Sequence, residues 1–253
     1  MTSSNTEARR PELDAALIEH RERLPEDPAP GNYVVVDVMH FSSTVVELFA
    51  GGAEYVHITE KRGDEFGFRD DTPEAVIGGG KTDDYEPAEG YDFFNSPSYV
   101  QSVDVAGKPV SMTSTNGGQA VTDLRLSDTE DVAVYVGGTT NARAVANHLA
   151  GEDRPTYLVS AGAGDGTVAT EDHIGATLVG RYLRGDSVAD VERDLYRELL
   201  EVAKGANYTD KHETRRRDVR EFSKAIDSRS VVPRLEGDTL YDVSEATVGV
   251  AAD

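Results

Sequence analysis

The sequence predicts an α/β fold: a layered sheet, largely parallel or mixed, with helices on its faces. Three observations predict it. Tyr33-Val34-Val35-Val36-Asp37-Val38 is a nearly unbroken apolar run rich in β-branched residues, as expected of a strand buried on both faces. A helix-compatible stretch and a second short strand follow it. The same order of strand, small polar turn, helix and strand then returns over 132–160. Strands alternating with helices mark a sheet covered by helices rather than a sandwich or a bundle. The repeat also allows two similar α/β halves, about 32–130 and 131–253.

The elements follow in order. Residues 1–31 read as an N-terminal extension to a domain over 32–253. Glu12–Arg23 is expected as a polar helix, and Pro25, Pro28 and Pro30 break it. After the first strand, Ser42 or Ser43 offers an N-cap to a helix over Thr44–Phe49, which Gly51-Gly52 closes. Ala53–Ile58 is the next strand. Ala75–Ile77 and Pro109–Met112 are short strand candidates, each followed by a glycine-bearing polar loop. The second unit runs through a strand at Val132–Val136, a turn at Gly137–Asn141, a helix at Ala142–Leu149 and a strand at Thr156–Ser160. Glu171–Leu183 reads as a helix, amphipathic through Ile174, Leu178, Val179 and Leu183. Val188–Tyr208 is a further helical stretch. Thr209–Arg220 is highly charged, and Phe222–Ile226 adds one more turn. Val231-Val232-Pro233 and Asp238–Val243 close the body.

Composition narrows the class of partner. The chain has 253 residues and a formal net charge of −22. An acidic surface of this kind repels nucleic acid and anionic membrane, so neither is expected as a partner. The acids are spread along the chain, and lysine occurs only at Lys61, Lys81, Lys108, Lys204, Lys211 and Lys224. Dispersed carboxylates with little lysine suit a protein that stays hydrated in concentrated salt, where self-repulsion is screened. A halophilic source is the expectation. There is no cysteine, so disulfides, thiolate catalysis and cysteine-bound metals are excluded. The first ten residues lack an apolar core, and no run of about 18 apolar residues occurs, so a cytoplasmic location is expected. No motif sets an oligomeric state; a homodimer is a working expectation.

In folds of this class ligands bind beyond the carboxyl ends of strands, where loops start helices. Asp37 lies at such an end, in an apolar setting where an unpaired carboxylate is costly. It is a structural acid tied by hydrogen bonds, a cation ligand or a catalytic group. His40 is a candidate anion contact or proton shuttle, against the plain reading of a surface or satisfied core residue. Ser43 and Thr44 either cap a helix or bind an oxyanion jointly with its N–H groups. Gly78-Gly79-Gly80-Lys81 either lets backbone approach a ligand beside a point charge or is a flexible turn. Asn95-Ser96-Pro97 alone is a turn signal. Thr113-Ser114-Thr115-Asn116-Gly117 packs three hydroxyls, an amide and a glycine directly after a strand. It reads as a nest of phosphate donors, with an Asx or hydroxyl turn as the alternative. Glu171-Asp172 favours a helix dipole, or one of them joins Asp37 around Mg²⁺.

Taken together and in this order, these segments resemble the 2-phosphosulfolactate phosphatase family. The resemblance covers roughly Tyr33 to Leu183, with a weaker echo at Val231-Val232-Pro233. It implies an α/β fold and a Mg²⁺-dependent phosphatase of small acidic phosphate esters belonging to coenzyme M synthesis. It implies Asp37, Glu171 and His40 as catalytic, with Asp37 as nucleophile, base or metal ligand. It implies Asp37 and Asp172 on the metal. Ser43, Thr44, Lys81, Asn95, Ser96, Thr113, Ser114, Thr115, Asn116 and Gly117 would bind a small anionic substrate. The family pattern carries arginine at three positions that read His40, Lys81 and Gln119 here. None of these can grip an oxyanion bidentately as arginine does. A phosphatase for another phosphorylated acid and a catalytically inactive anion-binding protein are therefore the alternatives.

Overall fold

The computed structural model of the protein describes residues 16–244. In chain order the strands are β1 (Ala16–Ile18), β2 (Gly31–Val36), β3 (Tyr55–Ile58), β4 (Val76–Gly79), β5 (Phe93–Phe94), β6 (Pro109–Met112), β7 (Val132–Gly137), β8 (Thr156–Ser160), β9 (Pro233–Glu236) and β10 (Thr239–Asp242). The helices are α1 (Phe41–Ala50), α2 (Asp64–Asp71), α3 (Pro97–Val100), α4 (Gly117–Arg125), α5 (Ala142–Leu149), α6 (Thr170–Leu183), α7 (Asp190–Val202) and α8 (Glu213–Arg217).

The apolar run becomes β2, and all six of its residues are buried. Tyr33 and Val35 enter one core, Val34 and Val36 the other. A side chain every second residue on each face explains the lack of polar alternation. α1 and α4 contribute to the first core through Phe41, Val45, Leu48, Ala120, Val121 and Leu124. α5 and α6 contribute to the second through Val145, Leu149, Ile174, Leu178 and Val179.

The strands form one ten-stranded mixed sheet in the order β1-β8-β2-β7-β9-β10-β3-β6-β4-β5. Pairings from β1 to β7 are parallel, as are those from β3 to β5. The β9–β10 hairpin joins the two blocks through three antiparallel pairings. Three reversals set the parallel blocks running in opposite directions. The two expected α/β halves interleave here: β2 from the first lies between β7 and β8 from the second.

Several expectations are corrected. The polar helix over Glu12–Arg23 does not form where it is described. Ala16–Ile18 is a strand, paired in parallel with Tyr157–Val159, and only Arg21–Arg23 makes a single 3₁₀ turn. The open edge of β8 supplies backbone partners that a solvated polar helix lacks. Residues 12–15 lie outside the described part. α1 begins at Phe41, with His40 and not a serine at the N-cap position. Ser42 Oγ instead accepts from Asp37 N–H at 2.9 Å, and Ser43 Oγ donates to Val38 C=O at 2.9 Å. Gly78 and Gly79 lie inside β4, where the Phe93 and Tyr91 rings occupy the space a Cβ would need. Those two glycines admit aromatic rings, not a ligand. Four short elements, α2, β5, α3 and α4, were not expected. No helix among the described residues is long and apolar enough to cross a membrane.

Candidate active site

Asp37 follows β2 and is 6% exposed. Its Oδ2 accepts from Gly117 N–H at 3.0 Å, and Oδ1 makes a longer 3.4 Å contact with Phe41 N–H. The first turns of α4 and α1 thus both present N–H groups to one carboxylate. A Cβ on Gly117 would lie 2.4 Å from the Phe41 ring and 2.9 Å from Asp37 Cβ, so only glycine permits this approach. This bond brings the carboxyl ends of β2 and β6 together although their blocks run opposite ways. Burial raises the Asp37 pKa, with Lys204 and the two N–H bonds opposing it.

Two further acids sit at the start of α6 and are as deeply buried: Glu171 is 2% exposed and Asp172 1%. Asp172 Oδ1 accepts from Val38 N–H at 2.8 Å and Oδ2 from Gly162 N–H at 3.0 Å. With both oxygens on backbone, Asp172 braces the loop after β8 against the turn after β2. This bracing stands beside the metal-ligand role expected of Asp172. Burial, reinforced by the charges of Asp37 and Glu171, pushes the Asp172 pKa well above the carboxylate range.

The charge of this acidic trio is met by Lys204, which no sequence motif marked. Its ammonium lies 2.6 Å from Glu171 Oε1. Burial works against the ammonium, but Glu171, with Asp37 and Asp172, outweighs it and raises the Lys204 pKa. Among the described residues no three His, Asp or Glu side chains converge closely enough to hold a metal by themselves. The donor chemistry still suits magnesium. That ion is usually held by one or two carboxylates together with substrate phosphate, keeping several waters. Asp37 and Glu171 are the carboxylates that would hold it. Asn116 adds a buried Oδ1 with no hydrogen-bond partner.

Lys204 also lines an open cleft of about 450 Å³, together with Arg62, Lys81 and Arg215. Four cations thus face one hollow in a chain of net charge −22. His40, Asn95 and Tyr208 complete its polar wall. His40 is 4% exposed, and its Nε2 lies 2.9 Å from Tyr208 Oη and 4.0 Å from Asp218 Oδ2. Burial, then Arg215 and Lys204, lower its pKa well below 6.5, so it is neutral at neutral pH. His40 Nδ1 and Asn95 Oδ1 are buried without partners. Arg215 is set by Asp218, which is fully buried and lies 3.1 Å from Nη1. Ser96 and Ser98 each donate to the other Asp218 oxygen at 2.6 Å.

The expected site residues therefore divide. His40, Lys81 and Asn95 line the cleft. Asp37 and Glu171 are not on the cleft wall, and Glu171 meets it through Lys204. Ser96 is corrected from substrate contact to anchor, because its hydroxyl is spent on Asp218. Ser43 is likewise spent, on Val38 C=O, while Thr44 keeps a buried Oγ1 with no partner. Thr113, Ser114 and Thr115 line an adjoining hollow of about 340 Å³, which shares Arg62 with the cleft. Within it Ser114 Oγ accepts from Gly118 N–H at 2.7 Å, so this hydroxyl caps α4. Gln119 donates to Asp123 at 2.9 Å. Arg62 and Lys204 each stand directly before a glycine, and Arg215 in a run of arginines, with no motif that marks any of them as inward-facing. Only their scarcity as cations in so acidic a chain could have signalled them.

Known proteins similar to this chain share one family name. The family model described as 2-phosphosulpholactate phosphatase matches residues 18–237. A Deinococcus radiodurans protein named "Probable 2-phosphosulfolactate phosphatase" is 32% identical over 161 residues, 63% of this chain and 65% of that one. The chain thus spans just under two thirds of that relative. A Gloeobacter violaceus protein of the same name is 29% identical, covering 66% of this chain and 69% of that one. A Clostridium botulinum protein, also so named, is 27% identical over 223 residues, 86% of each chain. The match runs from β1 into β9, over most of the chain, and on that basis the chain belongs to the 2-phosphosulpholactate phosphatase family.

Proposed function

We propose that the chain hydrolyses a small, multiply anionic phosphate monoester, with 2-phosphosulfolactate as the substrate its relatives' names point to. One observation carries the proposal: Arg62, Lys81, Lys204 and Arg215 face one cleft on a strongly acidic molecule. A phosphate ester contributes a charge of about −2 at neutral pH. A sulfonate and a carboxylate bring the total to about −4, a charge that this cluster of cations would attract. A basic cleft on an acidic surface also steers such a substrate inward.

Phosphoryl transfer asks little covalent work of a protein; positioning and charge stabilisation dominate. Lys204 and Arg215 would neutralise the non-bridging oxygens. Asp37 and Glu171 would hold the Lys204 ammonium in place. Neutral His40 would orient the attacking water through its unpartnered Nδ1, with Tyr208 fixing the ring. Water adds to phosphorus, the P–O ester bond breaks, and the leaving alkoxide takes up a proton to give sulfolactate and inorganic phosphate. Magnesium would take its carboxylates from Asp37 and Glu171 in place of their interaction with the Lys204 ammonium, and would supply positive charge for the phosphoryl oxygens. A cytoplasmic, salt-rich setting and a place in coenzyme M synthesis accord with this reading.

The test is phosphate release in concentrated KCl with magnesium. The expected result is a kcat/KM for 2-phosphosulfolactate at least about tenfold above that for a plain alkyl phosphate. Arg215→Met should erase that preference, and Asp37→Asn should abolish turnover. Equal rates on both esters would refute the substrate assignment. Phosphate binding with no release from any ester would leave an anion-binding protein instead.

A further inference from the structure

Tyr85 stands at the tip of the loop that crosses beside the cleft. The loop doubles back through a Lys81–Pro87 bridge and the bonds Thr82 N–H to Glu86 C=O at 2.8 Å and Ala88 N–H to Gly80 C=O at 2.8 Å. Tyr85 has φ +61°, in the left-handed region that a bulky residue seldom adopts. Something must offset that cost, and the ring contacts do. The Tyr85 ring stacks on His212 with centroids 4.3 Å apart and planes 2° from parallel. Lys81 Nζ sits 3.9 Å from the same ring centroid, and the Arg215 guanidinium carbon 5.1 Å. With the imidazole on one face, the opposite face is the one open to the ammonium. Two of the four cleft cations, 134 residues apart in sequence, thus share one aromatic platform.

We propose that Tyr85 is a positioning residue for anion binding: its ring fixes Lys81 and Arg215 at the mouth of the cleft. This rests on the cleft being an anion site. The chemistry explains how lysine serves at position 81. A lysine ammonium is a point charge on a flexible stem, without the planar fork that pre-organises arginine. A ring beneath it restricts the stem and lowers the entropy lost when an anion binds. The ligand class is a phosphate or sulfonate oxyanion. Tyr85 touches the cations and not the reacting atoms.

The experiment uses the full chain with inorganic phosphate as probe, by isothermal titration calorimetry, beside thermal unfolding. Tyr85→Phe keeps the ring and should bind within about twofold of the parent. Tyr85→Asn removes the ring but tolerates a left-handed backbone, so it should unfold no earlier than the parent. Its phosphate affinity should nonetheless fall about five- to thirtyfold, the loss of two partly exposed cation–π contacts. In turnover assays KM should rise by a larger factor than kcat falls, because Tyr85 touches the cations and not the reacting atoms. A purely structural role would make stability and affinity fall together, and that result overturns the proposal. So does Tyr85→Phe behaving like Tyr85→Asn, or the parent failing to bind phosphate. If the ring-dependent affinity appears while no ester is hydrolysed, the positioning role stands and the phosphatase assignment fails.

Discussion

Lys204→Met cuts the one cation that meets three buried carboxylates. Glu171 is 2% exposed and would lose its partner at 2.6 Å. Breaking a buried pair from one side costs about 3–5 kcal/mol. The Lys204 side chain is 26% exposed, so water reaches the gap and screening reduces the loss to about 2–3 kcal/mol. For a chain of this size that lowers Tm by roughly 5–10 °C. The loss should also depend on pH. Lys204 opposes the upward shift of Asp37 and Asp172; without it their folded pKa values climb further. Unfolded aspartates ionise near pH 4 while the folded ones still hold protons, so stability declines as pH rises through that interval. The deficit of Lys204→Met should therefore be larger at pH 8 than at pH 5. The assay is urea unfolding in concentrated KCl, which screens surface charges but not this pair. Glu171→Gln added to Lys204→Met should restore about 1.5 kcal/mol or more, read as coupling in a double-mutant cycle. Additive losses in the two variants, or a deficit independent of pH, would refute the view that Lys204 neutralises this acidic centre.

Gly117→Ala forces a Cβ into the Phe41 ring and disturbs the N–H bond to Asp37. A loss of about 2–4 kcal/mol is expected in chemical denaturation, with turnover reduced in the surviving folded fraction. Ser96→Ala removes one of the bonds to buried Asp218 and should cost about 1–2 kcal/mol while KM stays within about twofold. A tenfold rise in KM would restore Ser96 to the substrate. His40 is buried neutral, so protonating the unfolded chain below pH 6.5 drains stability. His40→Gln should flatten the pH dependence of Tm between pH 6.5 and 5, and an unchanged slope would count against a buried neutral imidazole.

Much of the frame was legible because it is written in short-range patterns. Tyr33–Val38 could only be a doubly buried strand, and Asp37 at its end had to be tied. Gly117 was found as part of a polar turn, though its true duty, admitting Phe41 and Asp37, depends on a ring and a carboxylate 76 and 80 residues away. What stayed hidden was set by partners distant in sequence. Ala16–Ile18 is a strand because β8 offers an edge, not because of its own composition. Gly78 and Gly79 looked like a ligand loop, yet the rings of Phe93 and Tyr91 fill the space beside them. Lys204 follows a charged helix and Arg215 lies in one, and the pattern of both stretches resembles any solvated face. Only folding shows that they turn inward.

The β9–β10 hairpin has a consequence for how the molecule is made. It lies in the middle of the sheet, and Thr239 pairs with His57, 182 residues earlier. A ribosome has therefore delivered both parallel blocks well before the strands that splice them exist. Until residues 233–242 emerge, the edges of β7 and β3 stand open, each able to recruit a wrong strand. Contacts of such long sequence separation also form slowly. Nascent chains stalled before residue 233 should consequently show open, protease-sensitive sheet edges, and release of the last strands should close them in one step.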